Sequence, residues 1–105
     1  MSASTTTAGA GINARLPAIF KVLPGERLSP RAVYAPANIP IELVLISRDG
    51  RAHHATLRTA KPRSLAVSPG GRAERLIPGL PAGTYRLYVD GAPRAALRVG
   101  FGPGP

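Results

Sequence analysis

The amino-acid sequence predicts an all-β protein, and three observations lead to that prediction. Twelve prolines and twelve glycines are spread along the 105 residues, and they break the chain into segments too short for a long helix. Several segments alternate apolar and polar residues with a period of two, which is typical of half-buried strands. Turn dipeptides such as Asp49-Gly50 and Asp90-Gly91 separate them. Seven or eight short strands of this kind predict a Greek-key β-sandwich.

The length and composition predict one folded domain with short extensions. Residues 1–11 are small, polar and aperiodic, which is the composition of a flexible linker. We expect the sandwich to cover residues 12–100 and a Gly/Pro tail to follow at residues 101–105. A chain of this size buries roughly two-thirds of its unfolded surface, so a core can form without metal or disulfide support.

The first half of the chain predicts three strands. The first is expected at residues 18–23 and ends at a Pro-Gly pair. The second is expected at residues 28–34 along a sheet edge, because Pro30 has no N–H to donate to a central ladder. Residues 39–48 are the most apolar run. Apolar side chains on both of its faces predict a central strand that is partly covered on both sides.

The second half predicts a strand at residues 52–59, two short strands and a closing hairpin. His53, Ala55 and Leu57 share one phase of the first strand, and His54 lies in the opposite phase. Brief strands follow at residues 65–67 and 72–77. In the hairpin of residues 79–100 one phase is apolar on both arms and is expected to face the core, and it comprises Tyr85, Leu87, Val89, Ala95, Leu97 and Val99.

From residue 39 onward the order of these features resembles a cupredoxin. The resemblance rests on an apolar strand (IPIELVLISRDG), a histidine opening the next strand (HHATL), a Pro-Gly turn (SPGGRAERL), a Gly-Thr-Tyr strand (LPAGTYRLYV) and a last strand (AALRV). It implies a cupredoxin-like sandwich in which His53 matches the first copper ligand.

The resemblance also implies that the type 1 copper site is missing. Val89 occupies the position of the cysteine ligand, and the short turn at residues 90–93 carries neither the second histidine nor the methionine. The chain has no cysteine, and its one methionine is Met1. A type 1 copper centre requires a thiolate, so we expect no cofactor here.

A different metal site at His53 and His54 is the first alternative. Neighbouring strand residues point to opposite faces, so a regular strand does not bring both imidazoles to one ion. A bulge would do so, and Cu(II) or Zn(II) would then be the natural metal, with Asp90 as a third ligand. Otherwise we expect His53 to be a partly buried ring bonded to a backbone carbonyl, with no carboxylate placed to orient it, and His54 to lie on the surface.

Catalysis is not expected. Without cysteine there is no thiol nucleophile, and the serines lack a G-x-S-x-G nucleophile elbow. The five acidic residues show no paired spacing that suggests acid–base work. The sequence therefore predicts a protein that is not an enzyme.

The formal charge of +9 favours anionic partners such as nucleic acid or acidic glycan. Arg48, Arg58, Arg86 and Arg98 fall in outward strand phases, where solubilising charge is the simpler interpretation. A polyanion binder using the last three is the second alternative. Few aromatic side chains are available to stack on nucleic-acid bases, because only Tyr34, Tyr88 and Phe101 are expected to be exposed.

We expect an interaction or accessory domain of an exported protein that is periplasmic, attached to the cell surface or secreted, with a cytoplasmic location as the alternative. It is expected to be monomeric, not to insert into a membrane, and to bind a protein partner through its surface. A simple spacer role is also open. The resemblance places the partner-docking rim at one end of the sandwich, comprising Arg51, His53, His54, Asp90, Gly91 and Pro93.

Overall fold

The computed structural model describes residues 15–100, which form two packed β-sheets. In chain order the strands are β1 (Leu16–Leu23), β2 (Arg27–Ser29), β3 (Ala32–Ala35), β4 (Ile41–Ser47), β5 (His53–Leu57), β6 (Arg63–Val67), β7 (Arg72–Ile77), β8 (Gly83–Val89) and β9 (Ala92–Val99). The predicted linker at residues 1–11 and the tail at residues 101–105 lie outside the described residues. Within residues 15–100 no helix is long and apolar enough to cross a membrane.

The strands divide into a four-stranded sheet with the order β2-β1-β4-β7 and a five-stranded sheet with the order β3-β9-β8-β5-β6. Two pairs are parallel, β1 with β4 and β3 with β9. The remaining pairs are antiparallel. The chain thus crosses repeatedly from one sheet to the other, and the all-β sandwich predicted from the sequence is confirmed.

The region predicted as one strand at residues 28–34 is two strands, which raises the number of strands to nine in the described part of the chain. β2 pairs with β1 in one sheet, and β3 pairs with β9 in the other. Pro30 lies between them. A residue without an N–H suits a point where the chain leaves one ladder and enters another. The prediction of an edge position was correct, whereas the prediction of a single continuous strand was wrong.

The core lies between the two sheets and is built from the inward phase of each strand. On β4 the residues Ile41, Leu43 and Leu45 share one face and are buried. Val44 faces outward and is nevertheless fully buried, since it lies in register between Ile19 of β1 and a residue of β7. The prediction that this strand is central and partly covered on both sides is confirmed.

The closing hairpin follows the predicted phase. Leu87, Val89, Leu97 and Val99 are buried, and Tyr85 is half-buried with its hydroxyl donating to the Pro81 carbonyl at 2.6 Å. A β-bulge between Leu87 and Tyr88 shifts the register with β9. Because a bulge increases local twist, it bends the hairpin near the turn at Asp90, where the candidate site lies.

Candidate functional site

The candidate site lies at the end of the sandwich where three parts of the chain meet. The β4–β5 loop brings Asp49, the start of β5 brings His53, and the β8–β9 turn brings Asp90. Asp90 has a φ of 52°, a left-handed conformation that Asp adopts more readily than most residues. The two Asp-Gly turns therefore place a carboxylate on each side of the imidazole.

His53 contacts both carboxylates. Its Nδ1 lies 2.6 Å from Oδ2 of Asp90, and its Nε2 lies 2.9 Å from each carboxylate oxygen of Asp49. The His53 side chain is 5% exposed and that of Asp49 is 6% exposed, whereas that of Asp90 is 51% exposed. One buried imidazole is thus held between a buried carboxylate and one that faces solvent. These three residues are called the histidine clamp below.

Backbone and hydroxyl groups hold the two carboxylates in place. The Arg51 N–H donates to Oδ1 of Asp49 at 3.0 Å, and the Ser47 hydroxyl donates to the Arg51 carbonyl at 2.6 Å. The His54 N–H donates to Oδ1 of Asp90 at 3.0 Å. The Asp90 N–H in turn donates to the His54 carbonyl at 2.8 Å. The clamp therefore joins the loop, β5 and the hairpin turn into one hydrogen-bonded unit.

The clamp stabilises a protonated imidazole. Burial alone would lower the pKa of His53, but the hydrogen bonds to Asp90 and Asp49 and the negative charges of these residues outweigh it and raise that pKa. The pKa of Asp49 and that of Asp90 are both lowered, in each case chiefly by the hydrogen bond to His53. The cluster is thus an ion triad when His53 is protonated.

Two expectations for His53 were wrong. It was expected to bond to a backbone carbonyl, and no carboxylate was expected to orient it. Asp90 is 37 positions away in sequence, and such pairings depend on which strand ends coincide in space. A usable signal was present, because both Asp-Gly turns follow strands that lead to the end of the sandwich where β5 begins.

The two histidines point to opposite faces, as predicted. His53 is buried, whereas His54 is exposed, so a single ion does not reach both imidazoles. Among residues 15–100 no group of three or more His, Cys, Asp or Glu side chains is arranged to hold a metal ion. The predicted use of His53 and His54 as a shared metal site has no geometric support in this part of the chain.

Three of the six residues predicted as a docking rim line one open cavity at this end. Its volume is about 510 Å³, and Arg51, His53 and Asp90 line it together with Glu26 and Asp49. The other three, His54, Gly91 and Pro93, are exposed and do not line it. The cavity thus has three carboxylates in its lining, and the role of the rim in docking stays a prediction.

The residues present do not fit a type 1 copper ion. The sequence offers no cysteine thiolate. Val89, which the resemblance matches to that ligand, is buried, and both ring nitrogens of His53 are bonded to carboxylates. Copper of this type requires a thiolate and free imidazole nitrogens. The geometry gives His53 the task of fastening the fold at this end.

Several solved structures are similar to this chain. Auracyanin A from Chloroflexus aurantiacus, described as a blue copper protein, matches with a TM-score of 0.68 at 9% identity, over 82% of this chain and 99% of its own. Auracyanin from Roseiflexus castenholzii matches with a TM-score of 0.65 at 11% identity, over 79% and 95%. A mutant of amicyanin in its Cu(I) form gives 0.57 at 12% identity, over 77% and 79%.

These likenesses, found at low sequence identity, concern the fold. No protein-family model and no curated protein sequence matches the chain. The chain therefore has a cupredoxin-like fold, as the resemblance implied, and its sequence lacks the cysteine on which a type 1 copper site depends.

Proposed function

We propose that this protein is a copper-free, non-catalytic binding domain that recognises an anionic partner through the outer face of its five-stranded sheet. The residues that carry this proposal are Arg58, Arg86, Arg98, Tyr34 and Tyr88, and they are called the arginine–tyrosine face below. All three arginines are exposed. The predicted interaction role is retained. The binding surface is assigned to the outer face of this sheet and not to the predicted rim at the end of the sandwich.

The strand register places these side chains on one continuous surface. Arg98 of β9 lies opposite Tyr34 of β3 and Thr84 of β8, and Arg86 lies two residues further along β8. The Arg58 N–H donates to the Arg86 carbonyl at 3.0 Å, so these two arginines are neighbours across the sheet. The face is thus a band of arginine and tyrosine side chains that runs from β3 to the end of β5.

Two of the guanidinium groups lie over tyrosine rings. The Cζ atom of Arg58 is 4.7 Å from the ring centroid of Tyr88, and that of Arg98 is 5.8 Å from the centroid of Tyr34. Such cation–π contacts limit the conformational freedom of long side chains. Less entropy is then lost when the arginines bind a ligand.

The single observation that carries the proposal is the distribution of acidic residues. None of the five lies in a strand of the five-stranded sheet. Two are on the four-stranded sheet, and three are at the end of the sandwich that holds the histidine clamp; they are Glu26, Glu42, Asp49, Glu74 and Asp90. Carboxylates are therefore absent from the strands that carry the arginine–tyrosine face, which favours binding of an anion there.

The carboxylates at the clamp end explain why the proposal does not centre on the predicted rim. Asp90 is half exposed there, and Glu26 also lines the cavity, with its carboxylate bonded to Arg94 at 2.7 Å. An anionic partner would meet negative charge at this end. We therefore assign the anionic partner to the arginine–tyrosine face. The rim would suit a partner that is not anionic.

The test is salt-dependent retention on immobilised heparin and on immobilised DNA. Neutralising Arg58, Arg86 and Arg98 together to Gln is expected to lower the eluting salt concentration. The slope of log K against log salt should decrease by about 0.7–0.9 for each phosphate that is no longer neutralised. A matched variant with Arg15, Arg27 and Arg48 changed to Gln has the same net charge and leaves the face intact. Equally weakened retention of both variants would contradict the proposal, since it would show that net charge alone is responsible.

A further inference from the structure

We infer that the anionic partner of the arginine–tyrosine face is a single-stranded nucleic acid, with Tyr34 and Tyr88 as stacking platforms for its bases. The inference rests on the proposed function, because it requires that the face binds an anion. It adds a role for the two rings that a purely electrostatic surface would not need.

Both rings belong to residues in the outward phase of the five-stranded sheet. Tyr34 is 51% exposed, although most tyrosines bury much of the ring. Tyr88 is half-buried at the β-bulge beside the hairpin turn. Each ring already has a guanidinium group against it. A base that stacks on such a pair contacts an aromatic surface and a positive charge together, as single-strand binding sites commonly arrange.

The spacing of the rings suits an extended strand with several bases. Tyr34 is in register with Thr84, two strands away, and Tyr88 lies four residues beyond Thr84 on the same strand. Strand spacing and rise per residue place the two Cα atoms about 16 Å apart. One base cannot contact both rings. Ala96 lies at the middle of the diagonal between them, and Arg86 flanks it on β8, two residues from Tyr88, where it can reach a phosphate. The inferred path of the nucleic acid therefore runs from Tyr34 across β9 and past Arg86 to Tyr88.

Other polyanions fit the face less well. A duplex keeps its bases stacked internally, and a broad five-stranded sheet does not enter its major groove, which admits a helix or a two-stranded ribbon. A sulfated glycan would use the arginines and leave the rings without a role. An anionic membrane would favour large exposed apolar side chains beside the basic ones, and the outward-facing residues between the two rings are Thr84, Arg86, Ala96 and Arg98.

The experiment compares two surface variants of the full chain in binding to a labelled oligothymidine of about 12 nucleotides, followed by fluorescence anisotropy. Changing Tyr34 and Tyr88 to Leu removes the rings and retains all charges. We expect this variant to lose about fivefold or more in affinity for each ring, with the salt slope and the heparin retention unchanged. The Arg58, Arg86 and Arg98 to Gln variant is expected to lose both affinity and salt slope.

Ring protons give a second readout that does not depend on a variant. The chain has three tyrosines, and Tyr85 serves as an internal reference because it is inward-facing with its hydroxyl bonded to Pro81. Titration with oligothymidine is expected to shift the ring signals of Tyr34 and Tyr88 upfield and to leave those of Tyr85 in place.

The two proposals fail in different ways. If heparin, duplex DNA or phosphatidylglycerol vesicles bind more tightly than the oligothymidine, or if the tyrosine variant binds it as the parent does, the inference about single strands is overturned and anion binding stands. If the parent binds none of these polyanions at low salt, both proposals are overturned.

Discussion

Nδ1 of His53 lies 2.6 Å from a carboxylate oxygen of Asp90, a residue 37 positions further along the chain. This contact joins the first residue of β5 to the turn between β8 and β9. Asp49 bonds to the other ring nitrogen, so the imidazole connects two loops that would otherwise be held only by their strands. In a cupredoxin-like fold without a copper thiolate, this end of the sandwich is fastened by an ion triad.

The histidine clamp makes the stability of the fold depend on pH, with a loss at high pH and another at low pH. The pKa of His53 is raised above its ordinary value of 6.5, so its contribution is fully present below that pH and is lost as the pH rises through the raised pKa. The Asp49 and Asp90 pKa values are lowered from 3.8, so their contribution is present above that pH and is lost as the pH falls. We expect a maximum in melting temperature between about pH 4 and 6.5.

A His53→Gln variant should lose the decline in melting temperature above neutral pH, whereas His54→Gln should retain it, because His54 is exposed outside the triad. Scanning calorimetry from pH 4 to 9 measures both. A parent protein whose melting temperature rises steadily through neutral pH would show that His53 is neutral in the fold.

Asp90→Asn is expected to lower the pKa of His53. Asparagine tolerates the left-handed backbone at this position, where φ is 52°, so the substitution removes the charge and keeps the turn. The loss of a charge 2.6 Å from Nδ1 should destabilise the imidazolium. NMR titration of the two histidines follows it directly. Glu42→Gln, on the other sheet, is the control and should leave that pKa unchanged; an equal effect of both variants would indicate a general response to net charge.

Leu87→Ala should reduce the free energy of unfolding by about 2–5 kcal/mol, as expected for a large-to-small change in a core. Leu87 is 0% exposed and lies in register between Leu57 and Ala95. Thr84→Ala on the same strand is exposed and should cost less than about 1 kcal/mol. Urea unfolding monitored by circular dichroism compares them. If Leu87→Ala left the urea unfolding curve unchanged, the inward orientation of Leu87 on β8 would be contradicted.

Stoichiometric Zn(II) or Cu(II) at neutral pH is expected to leave the melting temperature unchanged. Both ring nitrogens of His53 are engaged by carboxylates, and a metal would have to displace at least one of them. Weak binding at exposed His54 should disappear in His54→Gln. A saturable metal-induced change of the His53 signals that survives in His54→Gln, together with a higher melting temperature, would argue for a metal site built on the triad.

The local features of the strands could be predicted from the sequence. The period-two patterns of β8 and β9 correctly assigned Leu87 and Leu97 to the core, because alternation reflects burial of one face. The split at Pro30 could not be predicted, since the pattern on its two sides is compatible with one strand or two. Which sheet each half joins depends on pairing with β1 and β9, which are remote in sequence.

By itself the sequence determined the fold class, the inward phase of most strands and the loss of the thiolate, because these depend on residue type and on local periodicity. Only the tertiary structure decided what His53 does and where the charges lie. The contact of His53 with Asp90 and the gathering of Arg58, Arg86 and Arg98 on a sheet whose strands carry no carboxylate arise when strands distant in sequence become neighbours. Electrostatic interactions depend on distance in space, and a one-dimensional pattern does not contain that distance.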